Sequence, residues 1–240
     1  MDASQTRREF KFLLPPGAQA RVLEDISGHL PADRGQDSGY SIVSEYYDSA
    51  DFKTYWQKRS NHPNRRRIRT RLYQPTEGAE TLRSFIEIKH RLINTTVKRR
   101  MAVPIADITH DESGRLLPPP RPQSDPGTAA LRVHNEIVDL LNEGLNVPAV
   151  RTCFHRFAFD NGPTSRIRVT FDDNVQTQLW QTHNWSPQQP LFPSGETIME
   201  VKSIGSVPYW FRSLVAKHQL VPRGVSKYAT TLDSVLRHAA

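Results

Sequence analysis

Arg67-Ile68-Arg69-Thr70-Arg71 is the stretch that decides the fold of this chain. Its arginines alternate with uncharged residues, so a β-strand places three guanidinium groups on one face and isoleucine and threonine on the other. The same alternation recurs at Glu9-Phe10-Lys11, Glu87-Ile88-Lys89, Arg166-Ile167-Arg168 and Glu200-Val201-Lys202. The sequence therefore predicts several strands that each carry one charged face and one apolar or β-branched face.

Two architectures accommodate such strands. In an ordinary antiparallel sheet, the charged face meets water and the apolar face covers the core. In a barrel with charged faces turned inward and helices outside, the interior becomes a site for a polyvalent anion, with a few carboxylates set into it. The repeated order of Glu followed two residues later by Lys, and the abundance of Arg, favour the barrel.

The other patterns indicate an α+β chain. Apolar spacing predicts helices after Pro15-Pro16-Gly17, within residues 131–145 and after Pro208, and a short helical segment through residues 55–56. Strands are predicted at residues 41–47, 67–73, 85–91, 94–103, 150–159, 166–172 and 197–201, with a turn at 75–78. The charged alternation resumes beyond the proline-rich run 118–122, so we expect a loop there and a single domain over residues 1–240.

Composition limits the partner and the compartment. The 32 Lys plus Arg outnumber the 25 Asp plus Glu, which favours a polyanionic partner. Cys153 is the only cysteine, which excludes a disulfide framework and a cysteine zinc site and favours a reducing compartment. No stretch of sequence has the apolar length of a membrane span. We expect a cytoplasmic protein, with any membrane association made through a membrane-protein partner.

Side chains, rather than a glycine-rich loop, are equipped to handle phosphate here. The phosphate-loop, dinucleotide, HExxH and GxSxG motifs are all absent from the sequence. Phosphoryl transfer needs mainly positioning and neutralisation of phosphoryl oxygens by Arg, Lys and a divalent metal. Glu9, Glu87 and Glu200 each share a strand face with a lysine and are candidate ligands for Mg²⁺ or Mn²⁺. Ion pairing with the neighbouring cations is the alternative role for each.

The order of these motifs resembles the vacuolar transporter chaperone (VTC) branch of the CYTH and triphosphate tunnel metalloenzyme superfamily. The resemblance covers about residues 7 to 233. It is carried by Arg8-Glu9-Phe10-Lys11-Phe12, Tyr46-Tyr47-Asp48, the segments 67–73, 85–89, 154–159, 166–172 and 199–202, and Ser226-Lys227-Tyr228.

The resemblance implies an eight-stranded antiparallel β-barrel tunnel with a charged interior, helices packed outside, and ATP, tripolyphosphate or polyphosphate bound along its axis. The catalytic, phosphate-contacting residues that it implies are Lys11, Arg69, Arg71, Lys89, Arg156, Arg168, Lys202 and Lys227. Further substrate-binding residues are Lys58, Arg91, Lys98 and Ser226. Glu200 matches the family's metal-binding glutamate, with Glu9 and Glu87 as further metal-binding candidates.

The implied activity is that of a metal-dependent phosphoanhydride enzyme. It is either a polyphosphate polymerase, which transfers the γ-phosphate of ATP to a polyphosphate chain, or an inorganic triphosphatase. Two departures affect the polymerase: Phe154 stands where a tyrosine is usual, and Gly224-Val225 stand where polymerases offer a further lysine. Both leave anion binding intact, so a non-catalytic polyphosphate or inositol-phosphate module is the alternative. Nucleic-acid binding is disfavoured, because the aromatic residues alternate onto the face opposite the cations.

Overall fold

Strands dominate this chain, and helices lie between them. The computed structural model describes residues 7–33, 39–74, 82–93, 95–125, 127–162 and 165–236. The strands are β1 (Arg7–Leu14), β2 (Tyr40–Asp48), β3 (Asn64–Gln74), β4 (Arg83–Leu92), β5 (Thr95–Ala102), β6 (Val147–Asp160), β7 (Ile167–Gln181), β8 (Asn184–Trp185), β9 (Gln189–Pro190) and β10 (Thr197–Ile204). The helices are α1 (Ala18–Ser27), α2 (Lys53–Arg59), α3 (Ala129–Asn142), α4 (Tyr209–Lys217) and α5 (Lys227–Leu236).

The eight long strands form one antiparallel sheet that curls strongly into a half-barrel. Their order is β1-β10-β7-β6-β2-β3-β4-β5, and the two short strands β8 and β9 pair with β7. The predicted α+β fold with an antiparallel sheet consistent with a tunnel is confirmed. The predicted turn at residues 75–78 lies outside the described residues.

The apolar face of the sheet packs against helices, as the alternation predicts. On one half of the sheet, Val22 and Ile26 of α1 and Phe211 of α4 join one buried cluster with Val201 of β10 and Phe171 of β7. On the other half, α3 packs its own apolar residues onto β3, β4 and β5. Burial of these side chains removes apolar surface from water and holds the helices on the convex side. The charged face is therefore the concave one.

Helix α5 is the element that the sequence did not predict as a helix. Ser226 precedes it, and the Ser226 carbonyl accepts from Thr230 N. The helix buries Tyr228, Ala229 and Leu232 in a cluster with residues of β2, β6 and α2. The positions of these three residues give a short apolar stripe at helical spacing, which is the signal that could have identified it.

Strand β7 is also longer than the predicted 166–172, because it continues through an irregularity in its pairing. The register with β6 shifts between Cys153 and His155, and Asn174 on β7 has a left-handed φ of 46° nearby. A bulge of this kind bends the strand and re-aims side chains. Phe154 lies at the shift.

Candidate functional site

Most of the site residues predicted on strands lie on the concave face of the half-barrel. They alternate with the apolar residues that contact the helices, so they lie on the opposite face of each strand. Lys58 of α2 and Ser226 and Lys227 at the start of α5 come from outside the strands. The charges of Glu9 and Lys11 on the edge strand β1 act on Lys89 of β4, which indicates that the curl brings these strands towards each other. Cross-strand neighbours on it are Lys11 with Glu200, Lys202 with Arg168, Asp172 with Arg156, Arg69 with Glu87, and Lys89 with Arg67 and Lys98.

Asp172 holds two of the predicted cations. Arg156 donates from Nε to Oδ1 at 2.5 Å and from Nη2 to Oδ2 at 2.7 Å, and Lys227 Nζ forms an ion pair with Oδ2. Burial alone would raise the pKa of Asp172, but the charges of Arg156 and Lys227 hold it well below its usual range. This buried carboxylate therefore ties the start of α5 to β6 and β7.

Glu87 is the centre of a second ion cluster. Arg69 donates to its Oε2 from Nε at 2.9 Å and from Nη2 at 2.6 Å, and Lys98 Nζ lies 2.5 Å from Oε1. Burial favours a higher pKa, but the nearby charges of Arg69, Arg71 and Lys98 lower the pKa of Glu87 to about 2. Both oxygens thus engage cations, the arrangement that the sequence offers as the alternative to metal binding.

Glu9 and Glu200 converge on one lysine. Lys11 Nζ lies 3.5 Å from Glu9 Oε1 and 3.5 Å from Glu200 Oε2, and Lys202 forms an ion pair with the second oxygen of Glu200. Burial opposes ionisation of Glu200, yet Lys202 and Lys11 hold its pKa well below the usual range. Two carboxylates from adjacent strands therefore enclose one positive charge.

A divalent cation could use the same pair of carboxylates, because Mg²⁺ and Mn²⁺ prefer oxygen ligands. Within the described part of the chain, no group of three or more His, Cys, Asp or Glu side chains could hold a metal ion. Glu9 and Glu200 fit a divalent ion only if further oxygens come from a bound phosphate or from water.

Other cations at this face have no carboxylate partner. Among the described residues, none lies within 4.0 Å of Lys58, Arg67, Arg71 or Lys89. Arg71 is 6% exposed, and its Nε donates to Ser44 Oγ at 3.0 Å. Burial lowers the pKa of Lys89 to about 8, and the charges of Lys11 and Arg67 act in the same direction. Arg71 is buried, and Lys58, Arg67 and Lys89 are half-buried. A cation that is removed from water without a counter-charge is costly, so this group of four is suited to bind an anion.

Arg67 belongs to this group, although the sequence did not single it out as a ligand. It shares a strand face with Arg69 and Arg71, so the alternation that predicted those two also applies to Arg67. Its Nη1 donates to Ser226 Oγ at 3.4 Å. Ser226 in turn accepts from Ala229 N at 3.4 Å in the first turn of α5. The start of α5 therefore contacts the row of arginines on β3.

Phe154 presents its ring to three cations. Lys227 Nζ lies 4.2 Å from the ring centroid, and the guanidinium carbons of Arg156 and Arg71 lie at 5.4 Å and 5.9 Å. The ring is buried, at 4% exposure. The face of an aromatic ring attracts cations. Phe154 thus gathers positive charge at this point without the hydroxyl that a tyrosine would supply.

Arg168 and Arg91 lie apart from these clusters. Arg168 Nη2 is 2.6 Å from Asp33 Oδ2, and its Nη1 forms an ion pair with Asp160, so two carboxylates balance its charge. Arg91 lies opposite Arg65 near the end of β4. Arg91 Nη1 contacts Thr96 Oγ1 at 3.5 Å. The charge of Arg168 is thus balanced by carboxylates of the protein.

A comparison with known families identifies the chain. The model of the VTC domain family matches residues 6–236. The chain belongs to the VTC domain family. The match takes in every helix and strand described above. Membership of the family indicates a polyphosphate-related function. A search of curated proteins finds no match to this VTC domain.

Solved structures with the same fold include the PH1819 protein from Pyrococcus horikoshii OT3. The match has 10% sequence identity and a TM-score of 0.50, and it covers 95% of this chain and 99% of that chain. At this identity the likeness concerns the fold alone. In the described part of the VTC domain, no helix has the length and apolar character needed to cross a membrane.

Tyr46 is a further titratable group on the concave face of the VTC domain, and the sequence identified it only as part of a motif. Its hydroxyl accepts from Arg69 Nη1 at 3.0 Å. Burial would raise the pKa of this phenol, but Arg69, Arg71 and Lys227 together lower it to about 7. The register that places Tyr46 opposite Arg69 explains the contact. A phenol in this setting can carry negative charge near neutral pH.

Asp48, at the end of β2, anchors both helices that carry cations into this site. It is completely buried, and it accepts from Thr54 N at 2.9 Å, Thr54 Oγ1 at 2.7 Å and Tyr55 N at 3.0 Å in α2. The hydroxyl of Tyr228 in α5 also donates to it. The sequence identified Asp48 only as part of the motif Tyr46-Tyr47-Asp48. Its hydrogen bonds hold the helices of Lys58 and Lys227 against the end of the sheet.

Proposed function

We propose that this VTC domain binds polyphosphate, tripolyphosphate or the triphosphate of ATP on its concave face and acts on a phosphoanhydride bond, as a polyphosphate polymerase or an inorganic triphosphatase. The observation that carries the proposal is a group of four cations that have no carboxylate partner among the residues that the structure describes: Lys58, Arg67, Arg71 and Lys89. A polyanion would supply the missing counter-charge.

The distribution of these cations favours an extended anion. Arg67 and Arg71 are four residues apart on β3, which separates their Cα atoms by about 13 Å. Lys89 lies opposite Arg67 on β4. A chain of linked phosphates, charged along its length, satisfies such a row better than one compact phosphate does.

The chain's own residues supply what phosphoryl transfer requires. Lys89 and Arg71 would bind phosphate oxygens and neutralise charge that develops on the transferred group. Arg156 and Lys227 are held in place by Asp172 and by the Phe154 ring, so they need little rearrangement to assist. The Asp48 contacts with α2 and α5 help to keep this array in position.

A divalent metal is part of the proposal. Glu9 and Glu200 would hold Mg²⁺ or Mn²⁺, with phosphate oxygens completing its ligands, and the ion would act as a Lewis acid on the phosphoryl oxygens. Lys11 contacts both carboxylates. It would therefore exchange a carboxylate contact for a phosphate contact when the metal and substrate bind together.

A specific observation supports the alternative of binding without turnover. The carboxylates of Glu9, Glu87 and Glu200 all engage cations of the protein. A module that only binds polyphosphate or inositol phosphate needs the cations and has no need of free metal ligands. The experiment must therefore report binding and turnover separately.

The test is to incubate the purified protein with Mn²⁺ or Mg²⁺ and either ATP or tripolyphosphate, and to follow released phosphate and polyphosphate chain length in the same samples. Variants Lys89→Met and Glu200→Gln probe the cation group and the metal ligands. Arg66→Met is the matched control. Arg66 neighbours Arg67 on β3, but its side chain pairs with Glu143 at the end of α3, the helix on the convex side of the sheet.

Chain growth from ATP would establish a polymerase, and phosphate release from tripolyphosphate without growth would establish a triphosphatase. In either case we expect Lys89→Met and Glu200→Gln to lose most turnover and Arg66→Met to keep it. Full turnover in Lys89→Met or Glu200→Gln would refute the assigned roles. Metal-independent binding of tripolyphosphate without turnover would replace the enzyme with the binding module.

A further inference from the structure

The β3–β5 region has an unusual run of charge. Residues 52–76 contain eight Lys or Arg and no Asp or Glu. Residues 88–106 contain five Lys or Arg and likewise no Asp or Glu. The two segments are neighbours in the fold, because β3 pairs with β4 and β4 pairs with β5. Several of these cations pair with acids from other segments: Arg59, Arg66, Arg69, Lys98 and Arg99. At the end of this region where β3 begins and β4 ends, the positive charge belongs to Arg65 and Arg91.

The turn between β4 and β5 adds exposed apolar side chains to that positive surface. Leu92 is 48% exposed and Ile93 is 65% exposed. Ile93 also has a left-handed φ of 50°. This conformation is strongly disfavoured for a β-branched residue, and Asn or Gly adopts it far more readily. An isoleucine at this position therefore neither increases the solubility of the isolated domain nor favours the backbone conformation that it adopts.

Hydrogen bonds fix the backbone of Ile93 at the start of this turn. Ile93 N donates to Pro63 O at 2.9 Å and to Asn64 Oδ1 at 3.3 Å. The neighbouring Arg65 Nη1 donates to His62 O at 2.7 Å. Leu92 and Ile93, called the apolar tip below, therefore lie at a fixed place beside the start of β3.

Arg65 and Arg91 flank the tip without carboxylate partners among the described residues. They are direct cross-strand neighbours on β3 and β4, and like charges in this position repel each other. An anionic surface placed against the tip would relieve that repulsion. It would also cover the exposed Leu92 and Ile93.

We propose that the β4–β5 turn docks the protein on an anionic membrane surface, with Leu92 and Ile93 entering the headgroup region and Arg65 and Arg91 contacting lipid phosphates. A soluble polyanion would satisfy the arginines alone. It would gain nothing from the exposed isoleucine, so the apolar tip favours a bilayer. The inference is independent of whether the concave face turns over a phosphoanhydride.

The test measures co-sedimentation of the whole chain with vesicles of phosphatidylserine and phosphatidylcholine, and with vesicles of phosphatidylcholine alone. Ile93→Asn removes the apolar contact, and Asn suits a left-handed φ, so this variant should unfold at the same or a higher temperature. Arg65→Gln tests the charge. Ile105→Asn is the matched control, because Ile105 is also exposed, at 51%, but lies beyond the opposite end of β5.

We expect binding to the anionic vesicles only. Ile93→Asn should weaken it about tenfold, and Arg65→Gln about fivefold, whereas Ile105→Asn should leave it unchanged. Absence of vesicle binding would overturn the proposal. So would unchanged binding of Ile93→Asn, or an equal loss in Ile105→Asn. Tripolyphosphate added to vesicle-bound protein provides a further check. If the same low concentration releases both the wild type and Ile93→Asn from the vesicles, the concave face binds the lipid phosphates and the proposal is overturned.

Discussion

Replacing Lys89 with methionine is expected to stabilise the ligand-free protein and at the same time to weaken its binding of tripolyphosphate. Lys89 lies on the concave face with no carboxylate within 4.0 Å among the described residues. Burial lowers its pKa from the ordinary 10.5 to about 8. At about 1.4 kcal/mol per pH unit, this difference makes the charged lysine unfavourable by about 3 kcal/mol at pH 7. Methionine fills a similar volume without the charge.

The pH dependence follows from the direction of the shift. Between pH 8 and pH 10.5 the unfolded chain binds the Lys89 proton more tightly than the native state does, so native stability rises with pH through this window. The cost of Lys89 is present in full below the folded pKa of about 8. The stabilisation by Lys89→Met should therefore be greatest at pH 7 and should fade towards pH 10.5.

Thermal unfolding with and without tripolyphosphate measures both effects. For a chain of this length we expect the ligand-free midpoint of Lys89→Met to rise by about 6 to 12 °C at pH 7. Tripolyphosphate affinity should fall at least about 30-fold, because a buried charge contact with phosphate is lost. Lys53→Met, at an exposed lysine of α2, is the control and should change neither quantity. A lower midpoint for Lys89→Met at pH 7, or unchanged tripolyphosphate affinity, would refute the reasoning.

Three further outcomes are expected. Arg156→Met should lower the free energy of unfolding by about 3 to 5 kcal/mol in urea denaturation, since it leaves Asp172 buried with only Lys227; a loss below about 1 kcal/mol would contradict the role of this pair. An ultraviolet titration should show one phenol ionising near pH 7 that is absent from Tyr46→Phe, and a titration with no step below pH 9 would contradict the assignment. Asp48→Asn should cost about 2 to 3 kcal/mol in thermal unfolding and weaken tripolyphosphate binding, whereas wild-type affinity in a folded variant would show that Asp48 does not position the site.

The strands and their faces could be predicted from the sequence because alternation is a local property. Arg67, Arg69 and Arg71 share a face in any β-strand, whatever the strand pairs with. The helix that begins at Lys227 was not predicted, because its apolar stripe is short and the sequence around it was interpreted as a motif rather than as an element. Arg67 was left out of the ligand set although the pattern that selected Arg69 and Arg71 includes it.

The partners of each charge could not be predicted, because they depend on register and on the curl of the sheet. Arg69 and Glu87 meet because β3 pairs with β4 in one particular register. Arg168 is neutralised by Asp33, which is 135 residues away in the sequence. Whether a cation is compensated by the protein or left for a ligand is decided by such contacts.

The sequence by itself determined which strands have a charged face, that cations and carboxylates share it, and that the chain resembles the VTC branch. Those properties depend on residue type and on a period of two, which each segment carries alone. Only the tertiary structure decided which cations remain unpaired, because pairing requires side chains from distant strands to lie within a few ångströms of each other. It thereby separated Lys89 and Arg71, which lack a carboxylate partner in the described part of the chain, from Arg156 and Arg168, whose charges the protein itself balances.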